Sequence, residues 1–217
     1  MTDTLKQYWN LRLTEVQNVL EGNNFEAFIV DSKDEAKNLV LNRIIPALSP
    51  KSISWGGSVT FKDTGLYEVL KNSPQFSILD TYEKNLSQEE MLERRRQALL
   101  VDLFITGTNA VTDTGKLVNL DMIGNRVAAL TFGPKNVVIL VGRNKMVSEV
   151  DDALMRIKNF AAPANTVRLG KKNPCLKSGY CEECQSRERI CNTWTIHEKS
   201  FPKGRIKVVL INEDLGL

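Results

Sequence analysis

The sequence predicts an α/β fold: three layers, α/β/α, around a mostly parallel sheet. Short apolar runs rich in β-branched residues alternate with helical stretches, and no shift in composition marks a linker. Strands buried on both faces of a parallel sheet read as near-continuous apolar runs, and "VDLFITG" and "NVVILVG" are of that kind.

The elements follow in order. "LKQYWNLRLTEVQNVLEGN" is an amphipathic helix ending near Gly22, and "FEAFIVD" is a strand. Ser32-Lys33-Asp34-Glu35 has the pattern of a capping box and opens a helix with Ala36, Leu39, Val40 and Ile44 on one face and Pro46 at its end. "SISW" is a strand, followed by Gly56-Gly57 and a short helix around Leu66–Leu70; "FSILD" is the next strand. Ser87-Gln88-Glu89-Glu90 opens a helix to about Leu100. Asp113-Thr114-Gly115 reads as the turn of a hairpin, and "NRVAALTFG" as a short helix. Val147, Val150, Leu154, Ile157 and Phe160 recur at helical spacing, with Ser148 as the expected N-cap. "TWTIHEK" alternates like a strand, and "RIKVVLINEDLGL" supplies the last one. The expected organisation is an N-terminal helix over 1–24 and one α/β domain over 25–217, with a cysteine-rich insertion at 171–192.

Composition limits the function. The 217 residues carry a net charge of only +3, which argues against a nucleic-acid binder. Arg94-Arg95-Arg96 follows Glu89, Glu90 and Glu93 and reads as a solvated helix face. The opening residues lack the apolar core of a secretory signal, and no apolar run is long enough to span a bilayer. The expectation is a cytoplasmic protein, with neither membrane nor nucleic acid as partner.

Ligands of open α/β sheets gather at the carboxyl ends of the strands. Two segments have suitable composition there. In "SWGGSVTFKDTG", Gly56 and Gly57 allow close approach of an anion, while Ser58 and Thr60 offer hydroxyls. The second segment brings Thr106, Gly107, Asn109, Asp121, Asn125 and Arg126 between two apolar strands. An arginine at a helix start opposes the helix dipole unless a ligand or ion pair uses it. Asp113 and Asp121 are the candidates for a catalytic base.

The stretches "TNAVTDTGKLVNLDMIGNRVAALTFGPKNVVILVGRNKMV", "AAPANTVRLGKKNPC" and "RIKVVLINEDLGL" resemble the lactate-utilisation (LUD) domain family, in its single-domain branch with a C-terminal cysteine segment. The resemblance runs from about residue 30 to the C-terminus. It implies a NagB/RpiA/CoA-transferase-like fold, shared with sugar-phosphate isomerases and formyltetrahydrofolate cyclo-ligases, and bacterial organic-acid metabolism beside iron–sulfur partners. "GGSVT" is similar in place to the anion-holding loop of those relatives. Two features depart from them: no glutamate matches the CoA-transferase nucleophile, Glu68 being expected on a helix surface, and the cyclo-ligase ATP motifs are absent.

All cysteines lie in "NPCLKSGYCEECQSRERIC", spaced Cys175-x5-Cys181-x2-Cys184-x6-Cys191. In a reducing compartment such a cluster reads as metal-binding before it reads as disulfides. Four thiolates suit either tetrahedral zinc or a [4Fe–4S] cluster. The family's redox context favours the cluster, with Zn2+ as the alternative. Lys171, Lys172, Lys177, Arg187 and Arg189 are expected to depress the thiol pKa values. His197, the only histidine, reads as an edge-strand residue rather than a ligand.

Three functions are compatible with these features. The first is a redox accessory that binds a small anionic metabolite, such as a 2-hydroxy acid, and works with a redox partner protein. The second is an isomerase- or transferase-like enzyme acting on a phosphorylated or acyl metabolite, with structural zinc. The third is a non-catalytic subunit, including a homodimer, using the stripe from Val147 to Phe160.

Overall fold

The computed structural model describes residues 3–217; Met1 and Thr2 of the expected N-terminal segment lie outside the described residues. Helix α1 (Asp3–Gly22) leads into β1 (Glu26–Val30). Ser32 caps α2 (Lys33–Leu39) by accepting the Glu35 N–H, and the Glu35 carboxylate takes the N–H of Asp31 rather than that of Ser32. The helix does not stop at Pro46. A π-helical turn, Val40–Ile44, carries it into α3 (Ile45–Leu48). The wider turn accommodates a proline that has no N–H to donate and would clash in a regular α-helix.

Strand β2 (Ser52–Trp55) is followed by two short helices, α4 (Val59–Asp63) and α5 (Leu66–Leu70), where one was expected, and then by β3 (Ser77–Leu79). Glu68 projects from α5 and pairs with Lys71 at 2.5 Å. Helix α6 (Gln88–Gln97) begins with a complete capping box between Ser87 and Glu90. Strand β4 (Leu103–Gly107) precedes the hairpin of β5 (Ala110–Thr112) and β6 (Leu117–Asp121), whose turn needs Gly115 at a φ of 73°. Helix α7 (Asn125–Thr131), β7 (Asn136–Gly142) and the short β8 (Met146–Val147) come next.

Helix α8 (Val150–Arg156) is capped by Glu149 and Asp152, not by Ser148, and Val147 belongs to β8. A second π-helical turn, Ile157–Ala161, joins it to α9 (Ala162–Leu169), again just before a proline, Pro163. The one-turn α10 (Cys175–Ser178) lies in the cysteine segment, and β9 (Thr193–His197) and β10 (Ile206–Ile211) end the chain.

Six strands form one all-parallel sheet in the order β3-β2-β4-β7-β10-β1. Its two faces separate residue by residue along the central strands. Val137, Ile139 and Val141 point towards α1 and α7, where Leu13, Val16, Leu20 and Leu130 are buried. Val138 and Leu140 point towards the other layer, with Ala36, Val40, Phe61 and Leu66. This is the predicted α/β/α arrangement, and the N-terminal helix is part of its core.

A second sheet, β8-β5-β6-β9, extends the hairpin and was not apparent from the sequence. Two residues of β8 are too few for a strand pattern, and β9 pairs with β6 across a long stretch of sequence, Asp121 meeting Thr193 and Leu117 meeting His197. Helix α8 and the turn after it pack on this sheet through Ala153 and Ile157, beside Cys191 and Trp194. Among the described residues no helix is long and apolar enough to cross a membrane.

Leu140 is fully buried on β7, one of the two central strands of the parallel sheet. Leu140→Ala is expected to cost about 2–5 kcal/mol, read as a lower urea midpoint at unchanged slope.

Candidate functional site

The carboxyl ends of the parallel strands converge on one region. After β2, the Gly56–Ser58 loop is pinned by Tyr82 from the loop after β3. The Tyr82 hydroxyl donates to the Gly56 carbonyl at 2.6 Å and accepts the Ser58 N–H at 3.2 Å. Asp80 holds this arrangement by accepting from Trp55 Nε1, Tyr67 Oη and the Tyr82 N–H. Burial pushes the Tyr82 phenol up to about 12, so it remains a neutral donor. Gly56 N–H is spent on the Ile105 carbonyl, and Ser58 Oγ caps α4 by accepting the Phe61 N–H. Gly57 faces open space.

After β4, three consecutive carbonyls each meet a different cation. Gly107 O accepts from Arg126 Nη1 at 3.1 Å, Thr108 O from Lys145 Nζ at 3.4 Å, and Asn109 O from Arg156 Nη1 at 2.8 Å. Arg126 is 6% exposed and Lys145 4% exposed, and among the described residues no carboxylate bonds to either side chain. Arg126 also donates to Asn119 Oδ1, Asn109 Oδ1 and Leu120 O, which uses all four hydrogens of its two terminal nitrogens. Lys145 Nζ is 2.8 Å from Thr60 Oγ1. Arg156 Nε donates to Asn144 O at 3.1 Å, leaving Nη2 without a protein acceptor.

Burial disfavours charge on all three. The Lys145 amine is pushed down to about 7, by desolvation first and then by Arg156 and Arg126, with Asp63 acting in the opposite sense. Burial likewise lowers Arg126 and Arg156 from the ordinary arginine value, against the charges of Asp121 and Tyr82 in the case of Arg126. Guanidinium stays protonated over the ordinary pH range, so the region holds an excess of positive charge. Chemically it suits a small anion, with hydroxyls at Ser58 and Thr60 nearby.

The residues singled out from the sequence fall into distinct places. Gly56, Thr106, Gly107, Asn109 and Arg126 come together. A Cβ on Gly56 would lie 2.9 Å from Thr106 Oγ1 and 3.0 Å from Arg126 Cγ, and Thr106 Oγ1 is buried without a partner. A Cβ on Gly107 would meet Ser58 Oγ at 2.6 Å. Asn125 begins α7 and is half-buried. Asp121 accepts backbone N–H bonds from Met122, Arg126 and Val127, so its carboxylate closes the start of α7. Asp113 is held by Arg12 of α1 at 3.0 Å. The sequence reading missed Lys145, Arg156 and Tyr82. Lys145 had a signal, since "GRNK" directly follows the carboxyl end of β7; Arg156 and Tyr82 are ordinary residues of a helix and a loop and had none.

The cysteine segment leaves α9 and returns along the second sheet. Lys158 pairs with Glu183, Lys172 N–H donates to Glu188, and Arg189 donates to the carbonyls of Cys184 and Cys191. All four thiols are half-buried and free of disulfides. The Cys191 thiol is pushed up to about 11, by burial first and by the charges of Cys181, Cys175 and Cys184, with Arg189 opposing. The expected depression by basic neighbours is therefore reversed at Cys191, because burial outweighs one arginine. The donor chemistry suits zinc or an iron–sulfur cluster, yet among the described residues no three His, Cys, Asp or Glu side chains converge closely enough to hold a metal. His197 lies on β9, where its Nε2 is 3.2 Å from Thr131 Oγ1, apart from the thiols.

Asp121→Ala removes a helix cap. It is expected to cost about 0.5–2 kcal/mol of stability in denaturant unfolding, and Asp121→Asn, which keeps an acceptor, should lose less.

None of the curated proteins compared matches the chain. Among solved structures, a DUF162 family protein from Deinococcus radiodurans superposes with a TM-score of 0.51 at 15% identity, covering 94% of this chain and 97% of that one. At that identity the likeness carries the fold alone. The LUD domain profile matches residues 13–211. That span takes in both sheets, the cation cluster and the cysteine segment, and the chain belongs to the LUD domain family.

Proposed function

We propose that the chain binds a small organic anion at the carboxyl end of its parallel sheet. The observation that carries this reading is the set of three cations on consecutive carbonyls, two of them almost fully buried and none bonded to a carboxylate. Burying unpaired charge is costly, and a bound anion offsets that cost. Arg156 Nη2 supplies the free donors, Lys145 a second charge, and Arg126 a fixed field. A 2-hydroxy or 2-oxo acid supplies the carboxylate that such a set of cations would hold, in keeping with organic-acid metabolism.

The anion and the proton on Lys145 are linked. Because the folded amine titrates near 7, below the lysine value of 10.5, an anion that prefers the ammonium form pulls a proton in at neutral pH. Affinity is then expected to fall as pH rises through about 7. The charged groups facing this amine are Arg126 from α7, Arg156 from α8 and Asp63 from α4. Isothermal titration with lactate or oxalate between about pH 6 and about pH 9 reads this. Arg156→Gln should weaken binding by about tenfold or more, the scale of one charge-assisted hydrogen bond. Affinity independent of both pH and Arg156 would refute the site.

The same titration sets a stability slope. Between about 7 and 10.5 the unfolded chain binds a proton at Lys145 that the folded chain does not, so stability of the ligand-free protein rises with pH there. Lys145→Met should flatten that rise in urea unfolding.

A second reading concerns the cysteines, and the observation favouring it is that four half-buried, disulfide-free thiols share one segment. Cys175, Cys181, Cys184 and Cys191 would hold the metal after closing in on one another. A [4Fe–4S] cluster, when bound, supplies one-electron transfer to a redox partner, whereas zinc would only brace the segment. Iron and sulfide found in near-stoichiometric amount after purification without oxygen, and lost in Cys184→Ser, is the expected result. Stoichiometric zinc without sulfide would remove the electron-transfer role.

A further inference from the structure

Lys145 has features that an electrostatic role alone does not require. Arginine remains charged wherever it is buried, and two arginines already stand beside it; a lysine in the same surroundings becomes an amine. Its nitrogen lies between a hydroxyl, Thr60 Oγ1 at 2.8 Å, and a carbonyl, Thr108 O at 3.4 Å, with no acid to keep it protonated by direct contact. Desolvation beside cations is the setting in which a lysine becomes a nucleophile. Next to it, Arg156 reaches the adjoining carbonyls of Asn109 and Asn144 and keeps Nη2 for another acceptor. The pair therefore offers a nucleophile and a carboxylate anchor side by side.

A loop with replaceable bonds covers the amine. A Cβ on Gly216 would lie 3.2 Å from Lys145 Nζ. The segment Leu215–Gly216 is held there by Thr60 Oγ1 on Leu215 O at 3.3 Å, the Leu215 N–H on Asn144 Oδ1 at 3.1 Å, Asn144 Nδ2 on Gly216 O at 3.4 Å, and the Gly216 N–H on Asp63 at 3.2 Å. The buried Leu215 side chain also holds it, so access to the nitrogen requires the Gly216 end of the segment to shift.

We propose that Lys145 is a catalytic residue whose amine forms an imine with the carbonyl carbon of a 2-oxo acid, the acid's carboxylate being held by Arg156. The inference rests on the anion site proposed above and names its substrate class. The nitrogen lone pair forms the C–N bond as the carbonyl π pair moves to oxygen. A proton passes from nitrogen to that oxygen, giving a carbinolamine. A second proton, borrowed through the Thr60 hydroxyl, goes to the carbinolamine hydroxyl, the C–O bond breaks, water leaves, and the nitrogen lone pair makes the C=N bond; the remaining N–H proton then leaves by the same route and replaces the one borrowed. One carbonyl and one amine become one imine and one water, with no oxidant or reductant. Thr60 Oγ1, within hydrogen-bond reach of the nitrogen, is placed to relay the proton. Arg126, whose terminal hydrogens are all committed, is a positioning residue that holds the Gly107–Asn109 turn.

The experiment uses the full chain with pyruvate and sodium cyanoborohydride, which reduces an imine to a stable secondary amine, followed by peptide mass spectrometry. The expected result is an added mass of pyruvate, less one oxygen, on Lys145. It should form far faster than on exposed lysines such as Lys177, and be absent in Lys145→Arg. Lactate serves as the control, carrying the anion without the carbonyl, and should slow labelling by competition. If lactate or oxalate binds with the pH dependence given above while Lys145 stays unlabelled, the imine is wrong and the anion site stands. If neither acid binds and Lys145 is unlabelled, both readings fall.

Discussion

The turn at Gly107–Asn109 is the constraint on which the rest of the structure depends. There the chain leaves the centre of the parallel sheet and starts the second sheet, so three carbonyls in a row lose the ladder that would have satisfied them. A buried carbonyl without a donor is costly. Arg126, Lys145 and Arg156, drawn from three different elements, take one carbonyl each. Gly107 is required because a side chain there would collide with Ser58 Oγ at 2.6 Å and crowd Leu140 O at 3.3 Å. The turn thereby fixes the glycine loop after β2, the start of α7 and the strand end at β7 relative to one another.

Satisfying carbonyls with cations has a consequence that neutral donors would not have. Asparagine side chains could have done the same work without any charge, and Asn109 and Asn119 are already beside Arg126 as acceptors. The nearest acids are directed elsewhere: Asp121 to the backbone N–H groups of α7, and Asp63 to the Gly216 N–H. The protein's own carboxylates thus leave the positive charge uncompensated at short range. Such an arrangement persists in one of two ways: an anion is supplied from outside, or one of the cations gives up its proton. Only Lys145 can do the second at neutral pH.

The elements with strong local signals were legible in the sequence. Both faces of the parallel sheet could be read from the apolar runs of β4 and β7, and the Ser87–Glu90 capping box and the hairpin turn at Gly115 formed where their residues indicated. Elements set by long-range pairing were not. The strand β8 exists because Met146 and Val147 meet Val111 and Thr112, and a dipeptide has no period to detect. The two prolines, Pro46 and Pro163, were misleading in the first case because a π-helical turn before each lets the helix continue. In the site, the residues nearest the β4 turn were legible, since polar residues between apolar strands stand out. Arg156 was not, and the position of Lys145 just after β7 told only part of its story, because what matters about both is the absence of a directly bonded acid, which only the folded chain reveals.

The cysteine segment and the cation cluster meet at Asp121. Its carboxylate accepts the N–H of Arg126 and fixes the start of α7, while its backbone carbonyl accepts the N–H of Asn192, the residue after Cys191. Asn192 Nδ2 adds a second tie, to Met122 O at 2.9 Å. At its other end the segment begins from α9, whose Arg168 lies close enough to act on the Tyr82 phenol. The four thiols are therefore suspended between two supports, one joined to Arg126 and the other facing the tyrosine that pins the glycine loop. Asn192 and Asp121 thus link the cysteine segment to the backbone of Arg126 through two consecutive hydrogen bonds.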